Sequence, residues 1–194
     1  MLVKQDKQIP RSARDDNAGL SPSCASLSGH QLLLTPLMTG QRPLSTSMAP
    51  SSKLVVLARD AAAARSLDAA LVCAVIEQES GWNPWAMRYE PAFFAKYVAP
   101  LYTNNRISAS EAYARGFSWG LMQVMGQVAR ENGFSSDFLS ALCDPEQGLA
   151  LGCLVLQKKL AAAGGDVTRA LLGWNGGANP SYAAAVLARK GRYI

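Results

Sequence analysis

The sequence predicts an all-α domain of about seven or eight helices that follows a disordered N-terminal tail. Helix start and stop signals recur from Ser52 onward at spacings that leave little room for strands. Only residues 85–106 lack a clear helical period, and all Trp, Tyr and Phe residues follow position 81. These observations divide the chain into a tail at 1–51 and a folded domain at 52–194.

Residues 1–51 have the composition of a disordered tail. Ser, Thr and Pro recur throughout, and one brief apolar patch at 32–34 cannot bury enough surface to order the segment. Lys4 and Asp6 stand where the apolar core of a signal peptide should begin, so no signal peptide is evident. An alternative is that translation starts at Met48 and that the residues before it are not translated.

Capping residues predict the first two helices of the domain. Apolar residues at 54–58 follow Ser51 and open one helix. A second helix runs from Asp68 to Gly81. Asp accepts hydrogen bonds from the free N–H groups at a helix start, and Gly readily adopts the left-handed conformation that ends a helix.

The middle of the domain has weaker signals. Residues 85–106 are expected to form a loop or a partly helical insertion. Ser108 and Glu111 make a capping box before a short helix that ends near Gly116. We expect a further helix over 118–133.

Three helices are predicted to close the domain. Asp144 as N-cap and Pro145 at the first helical position predict a long helix that ends at about residue 163. Asp166 caps a helix that reaches residue 173, and the last helix runs over about 180–189.

The net charge of +5 is compatible with nucleic acid, an anionic membrane surface or an acidic polymer such as a bacterial wall. The basic clusters at 158–159 and 189–192 stand where solvated helix positions are expected, so no nucleic-acid partner is expected. DNA binding through the basic C-terminus stays an alternative. No apolar run approaches the roughly 20 residues of a transmembrane helix.

Histidine and cysteine usage excludes several kinds of chemistry. The single histidine, His30, lies in the tail, so the folded part has no histidine-dependent catalysis or histidine zinc site, and no metal or other cofactor is expected. Cys24, Cys73, Cys143 and Cys153 show no CxxC spacing, which favours buried free thiols. A bridge between Cys143 and Cys153 stays open.

The second predicted helix carries two carboxylates, Glu77 and Glu79, on nearly opposite sides, because successive helical residues are about 100° apart. Val75 and Ile76 precede Glu79 by four and three positions, which puts Glu79 on the apolar face and Glu77 on the wetter side. Partial burial and the negative end of the helix dipole should raise the pKa of Glu79, so that it can donate a proton. The alternative is that Glu79 merely ends an amphipathic helix.

Three ordered motifs carry a resemblance to a known family. They are Glu79-Ser80-Gly81-Trp82-Asn83-Pro84, Ser118-Trp119-Gly120-Leu121-Met122-Gln123-Val124 and Trp174-Asn175-Gly176-Gly177. Over about residues 54–189 the chain resembles the soluble lytic transglycosylase (SLT) family, which implies a lysozyme-like fold. The run 88–97 looks like phage and prophage members of this family.

The resemblance implies a peptidoglycan lytic transglycosylase. Such enzymes cleave the β-1,4 bond between N-acetylmuramic acid and N-acetylglucosamine and leave a 1,6-anhydro-muramic acid end. One glutamate acts first as acid and then as base, and Glu79 is the matching residue. The residues that the resemblance assigns to substrate binding are Ser80, Ser118, Gly120, Met122, Gln123, Trp174, Asn175 and Tyr182.

Within that set the resemblance implies distinct roles. Gln123 and Asn175 would bind the sugar amides, Met122 and Trp174 would shape the cleft, and the two serines would orient Glu79 or the substrate. Trp174 stands where the family usually has Tyr, so the phenolic hydrogen bond should be lost at this position.

Two alternatives to transglycosylation stay open. Glu90, in the insertion, could act as a second carboxylate and make the enzyme a hydrolytic muramidase, as in goose-type lysozymes. The fold could also serve as a catalytically silent wall-binding or virion structural protein. We expect a monomer that acts at the periplasm or cell wall on peptidoglycan strands, reaches it from a virion or the host cytoplasm, and has virion or tail proteins as candidate partners.

Overall fold

Capping side chains determine where several helices begin. In the computed structural model, Asp68, Ser108, Asp144 and Asp166 each accept a hydrogen bond from a backbone N–H of the first helical turn. Such a cap contributes about 1 kcal/mol to stability. All four predicted caps are confirmed. Glu111, however, does not complete a capping box, because its carboxylate binds two arginines instead.

The structure describes residues 50–177 and 179–194, and in these ranges it is mostly helical, as predicted. The α-helices are α1 Ser52–Ala63, α2 Ala69–Ser80, α3 Pro91–Phe93, α4 Ala99–Thr103, α5 Ala109–Arg115, α6 Gly126–Glu131, α7 Pro145–Ala162, α8 Val167–Trp174 and α9 Tyr182–Lys190. A π-helical turn at Phe94–Val98 joins α3 to α4, and a 3₁₀ turn at Leu139–Cys143 precedes α7. The insertion is therefore partly helical. The predicted tail, with His30 and Cys24, lies outside the described residues except for positions 50 and 51.

The first half of the helix predicted over 118–133 instead forms two strands of a small three-stranded antiparallel sheet. Its strands, in spatial order, are β1 Met87–Tyr89, β2 Phe117–Trp119 and β3 Val124–Met125. The prediction is wrong here because Gly120 and Gln123 adopt positive φ angles of 69° and 49°, which reverse the chain between β2 and β3. The helix begins only at Gly126.

Helix α2 forms the centre of the core. Its residues 70–76 are all buried, and the helix packs against α1 and α9. Helix α7 packs against α1 and α8. This arrangement leaves the last turn of α2 between the end of α8 and the start of α9.

Cys73, Cys143 and Cys153 are buried free thiols, so the Cys143–Cys153 bridge is not formed. Burial raises the pKa of Cys153 to about 12, which keeps its thiol protonated. Within the ranges that the structure describes, no helix is both long and apolar enough to cross a membrane. The same residues contain no group of His, Cys, Asp and Glu side chains that could hold a metal ion.

Candidate active site

The last turn of α2 presents Glu79 beside the buried residues of the same helix. Gly81 then adopts a left-handed conformation with a φ of 56° and ends the helix, as predicted. The Glu79 side chain is half-buried, and this burial raises the pKa of its carboxyl group. The predicted direction of the pKa shift agrees with this result.

Two side chains from distant parts of the chain donate hydrogen bonds to one oxygen of Glu79. The indole Nε1 of Trp174 lies 2.9 Å from Oε1, and the hydroxyl of Tyr182 lies 2.5 Å from the same atom. Both donors favour the ionised form and oppose part of the pKa rise that burial causes. Among the described residues, none makes a hydrogen bond to Oε2. The hydrogen bonds from Trp174 and Tyr182 therefore hold one oxygen of the carboxyl group, Oε1, and not the other.

Trp174 has no phenolic hydroxyl, but its indole N–H supplies a donor to Glu79 at this position, and its ring is half-buried. Tyr182 is only 5% exposed, so its ring belongs to the core while its hydroxyl reaches Glu79. The structure thus brings together Glu79, Trp174 and Tyr182.

Residues of the C-terminus pack over Glu77, whose side chain is 19% exposed. Arg192 makes an ion pair with its carboxylate, and the hydroxyl of Tyr193 donates to its Oε2 at 2.7 Å. Lys190 pairs with Asp68 at 2.5 Å. Much of the basic C-terminal cluster is therefore neutralised within the protein, which weakens the nucleic-acid alternative.

The loop between β2 and β3 lies against the end of α2. The hydroxyl of Ser80 donates to the carbonyl of Leu121 at 2.8 Å. A side chain at Gly120 would not fit, because a Cβ atom there would lie 2.2 Å from the carbonyl oxygen of Leu142. Met122 is 1% exposed and packs against Gly152, so it supports the loop from the core side instead of lining a cleft.

Gln123 is bound to the protein by its carboxamide group. Its Nε2 donates to the carbonyls of Ala86 and Gly120, both at 2.9 Å, and its Oε1 accepts from the hydroxyl of Ser118 at 2.8 Å. Ser118 also donates to the carbonyl of Arg88 at 3.3 Å. Ser80 and Ser118 thus bind backbone and Gln123, and neither makes a hydrogen bond to Glu79.

Asn175 organises the turn that follows α8. Its Oδ1 accepts from the backbone N–H of Gly177 at 3.0 Å, and its Nδ2 donates to the carbonyl of Asn179 at 3.2 Å. The side chain is half-buried and follows Trp174 directly. This turn therefore places the Asn175 amide next to the residue that holds Glu79.

Two other carboxylates, Glu90 and Glu111, lie in ion pairs, and the charge of Glu90 affects the pKa of Glu79. Arg88 Nε and Glu90 Oε1 form an ion pair at 2.5 Å, and both charges act on the pKa of Glu79, Arg88 lowering it and Glu90 raising it. Glu111 instead pairs with Arg130 at 2.7 Å and Arg115 at 2.8 Å, which lowers the pKa of Glu111. The sequence interpretation missed Arg88, because only the pairing of β1 with β2 brings it opposite Ser118.

Comparison with known proteins supports the resemblance. The family model described as "Transglycosylase SLT domain" matches residues 56–190. Among solved structures, the chain is similar to one described as the crystal structure of Burkholderia AP3 phage endolysin, with a TM-score of 0.50 and 22% sequence identity. The match covers 72% of this chain and 69% of the endolysin chain, and at this identity it concerns the fold.

Proposed function

The chain belongs to the SLT transglycosylase family, a family of peptidoglycan-degrading enzymes, and from this premise we propose that Glu79 alone carries out acid and base catalysis on the glycan strand. The bond cleaved is the β-1,4 link from N-acetylmuramic acid to N-acetylglucosamine, and the product is a 1,6-anhydro-muramic acid end. The observation that carries this proposal is the half-buried Glu79 carboxyl group with both protein donors on a single oxygen.

The first step is donation of a proton to the glycosidic oxygen. Because burial raises its pKa, Glu79 stays partly protonated at pH values where an exposed glutamate is fully ionised. Because Trp174 and Tyr182 already donate to Oε1, the acid proton resides on Oε2, which accepts from neither of them. Proton transfer from Oε2 to the leaving oxygen then accompanies rupture of the bond to C1 of the muramic acid.

The second step closes the anhydro ring. The oxocarbenium-like centre at C1 is stabilised by the substrate's own N-acetyl group, while Trp174 and Tyr182 stabilise the new Glu79 carboxylate. That carboxylate takes the proton of the C6 hydroxyl, whose oxygen forms the new bond to C1. Glu79 is protonated again, and no water is consumed.

The remaining candidate residues form the surroundings of this carboxyl group. We assign Trp174 and Asn175 to the ligand-facing side, because both are half-buried and Trp174, which directly precedes Asn175, donates to Glu79. Gln123 supports the loop, and its Oε1 keeps a lone pair for a sugar amide. Gly120 permits the close approach of the loop to the 3₁₀ turn.

A Glu79→Gln variant tests the proposal with a matched control. The amide keeps the shape of the side chain but cannot donate a carboxylic proton, so lysis of a wall suspension should fall by a factor on the order of 10² to 10⁴. Sedimentation with walls should persist. Glu146→Gln removes an exposed carboxylate at the start of α7 and should leave lysis unchanged. An inert scaffold would show no lysis even in the wild type.

Product analysis by mass spectrometry tests the reaction type. Each new muramic acid end should weigh one water less than a hydrolytic end and should resist borohydride reduction. The second candidate, hydrolysis, rests on Glu90, whose charge contributes to raising the pKa of Glu79. In that case products would carry reducible ends, and Glu90→Gln would abolish them.

We also propose a biological role at the bacterial wall. The similar solved structure is described as a phage endolysin, and a wall-degrading function in phage entry or release suits the chemistry proposed here. The +5 charge of the chain favours its approach to an anionic wall. Addition of the protein to intact and to membrane-permeabilised cells would show from which side it reaches its substrate.

A further inference from the structure

We propose that Glu77, Trp82, Arg192 and Tyr193 form a C-terminal clasp that positions the last turn of α2, and with it the carboxyl group of Glu79. The clasp rests on the proposed function of Glu79. Its members are positioning residues, because none of their side chains makes a hydrogen bond to Glu79 and none lies among the groups assigned to the substrate.

Tyr193 is the centre of the clasp. Its hydroxyl donates to Glu77 Oε2 at 2.7 Å and accepts from Trp82 Nε1 at 2.9 Å, and its ring centroid lies 5.8 Å from that of Trp82. Its backbone carbonyl accepts from Arg59 of α1 at 2.8 Å. Burial raises the pKa of Tyr193 to about 12, so the hydroxyl stays protonated and keeps both bonds across the working pH range.

The backbone at Trp82 shows why a clasp is needed. Trp82 has a φ of 68°, in the left-handed region that bulky side chains rarely adopt, directly after the left-handed Gly81. Such a residue persists only where its surroundings hold it. Here the surroundings are Tyr193 and the core, since Trp82 is only 6% exposed. The strained turn comes three positions after Glu79.

The clasp acts on the same helical turn that carries Glu79. Glu77 precedes Glu79 by two residues, so any loosening of Glu77 moves the catalytic carboxyl group as well. Helix α9, which carries Tyr182, leads directly into Arg192 and Tyr193. The clasp thus links α9, which carries Tyr182, to the last turn of α2, which carries Glu79. A displacement of about 1 Å can cost up to roughly a hundredfold in rate.

The test compares substitutions that break contacts at the two ends of α2. Tyr193→Phe removes the hydroxyl but keeps the ring, and Glu77→Gln removes the charge but keeps an acceptor. Lys190→Met is the control, because it breaks the Lys190–Asp68 pair between the same two helices at the far end of α2. Melting temperature, kcat, KM and a ¹³C-NMR titration of Glu79 are measured for each, at a temperature where all are folded.

The clasp predicts that Tyr193→Phe and Glu77→Gln lower kcat about tenfold with little change in KM. The Glu79 pKa should move down towards its ordinary value, because a looser turn admits water. Lys190→Met should lower the melting temperature alone. The proposal is overturned if the clasp variants keep both the kcat and the Glu79 pKa of the wild type, or if Lys190→Met lowers kcat equally.

The readouts separate this proposal from the proposed function. A wild-type product with hydrolytic ends would contradict transglycosylation but not the clasp, whose NMR readout needs no substrate. If Tyr193→Phe does not fold, Glu77→Gln decides the outcome by the same criteria.

Discussion

Replacement of Trp174 by Phe should raise the pKa of Glu79 further. The indole N–H stabilises the carboxylate through its 2.9 Å bond to Oε1, and Phe fills a similar space without a donor. A hydrogen bond to a charged group contributes about 1.5–3 kcal/mol. One pKa unit corresponds to about 1.4 kcal/mol, so loss of the bond should shift the pKa by roughly one to two units.

The sign of the shift determines the effect on activity. The acid form of Glu79 starts the reaction, so the alkaline limb of the pH profile of kcat/KM reports its deprotonation in the free enzyme. In Trp174→Phe this limb should move to higher pH by roughly one to two units. The rate at low pH should fall, because the carboxylate formed in the first step loses a stabilising donor.

Initial rates of turbidity loss of a wall suspension, measured across the pH range, would show this shift. Trp174→Tyr serves as the comparison, because it restores the residue type usual in the family and supplies a hydroxyl donor. An alkaline limb that stays in place or moves to lower pH in Trp174→Phe would refute the assignment of the indole as a carboxylate donor.

Three further predictions concern stability. Glu79→Gln should raise the melting temperature at alkaline pH. Burial raises the folded-state pKa of Glu79, so ionisation of this carboxyl group destabilises the fold as pH rises through the folded-state pKa. Calorimetry should therefore show a smaller difference between variant and wild type in acid. Gly120→Ala should cost at least about 1–3 kcal/mol from the positive φ, with an added clash against Leu142, and denaturant unfolding would measure it. Glu111→Gln should lower the melting temperature at neutral pH, because Arg130 lowers the pKa of Glu111, and the difference should vanish as pH falls through that lowered pKa.

Local signals were sufficient to predict most helices and the character of Glu79. Asp68, Asp144 and Asp166 cap their helices as predicted, because a capping side chain reaches N–H groups only two or three residues away. Val75 and Ile76, four and three positions before Glu79, are buried as helical periodicity predicts. Both features depend on neighbours in the sequence, so no knowledge of the fold is needed.

Local signals failed where distant segments compete for the same residues. Ser118 and Trp119 lie in a stretch that suits a helix, but the sheet pairs them with Met125 and Val124 across a tight turn. The pairing of β1 with β2 joins residues about 30 positions apart, such as Arg88 and Ser118. Periodicity within one segment contains no information about such a partner.

The candidate site shows the same division. The sequence by itself determined that a carboxyl group would end an apolar helix and would resist ionisation. Only the tertiary structure decided which groups contact that carboxyl group: Trp174 and Tyr182 reach Oε1 from 95 and 103 residues away. The tertiary structure likewise brings the hydroxyl of Tyr193 to the carboxylate of Glu77, 116 residues away. The physical reason is that burial follows from local pattern, whereas a hydrogen bond across the fold requires the packing of whole helices.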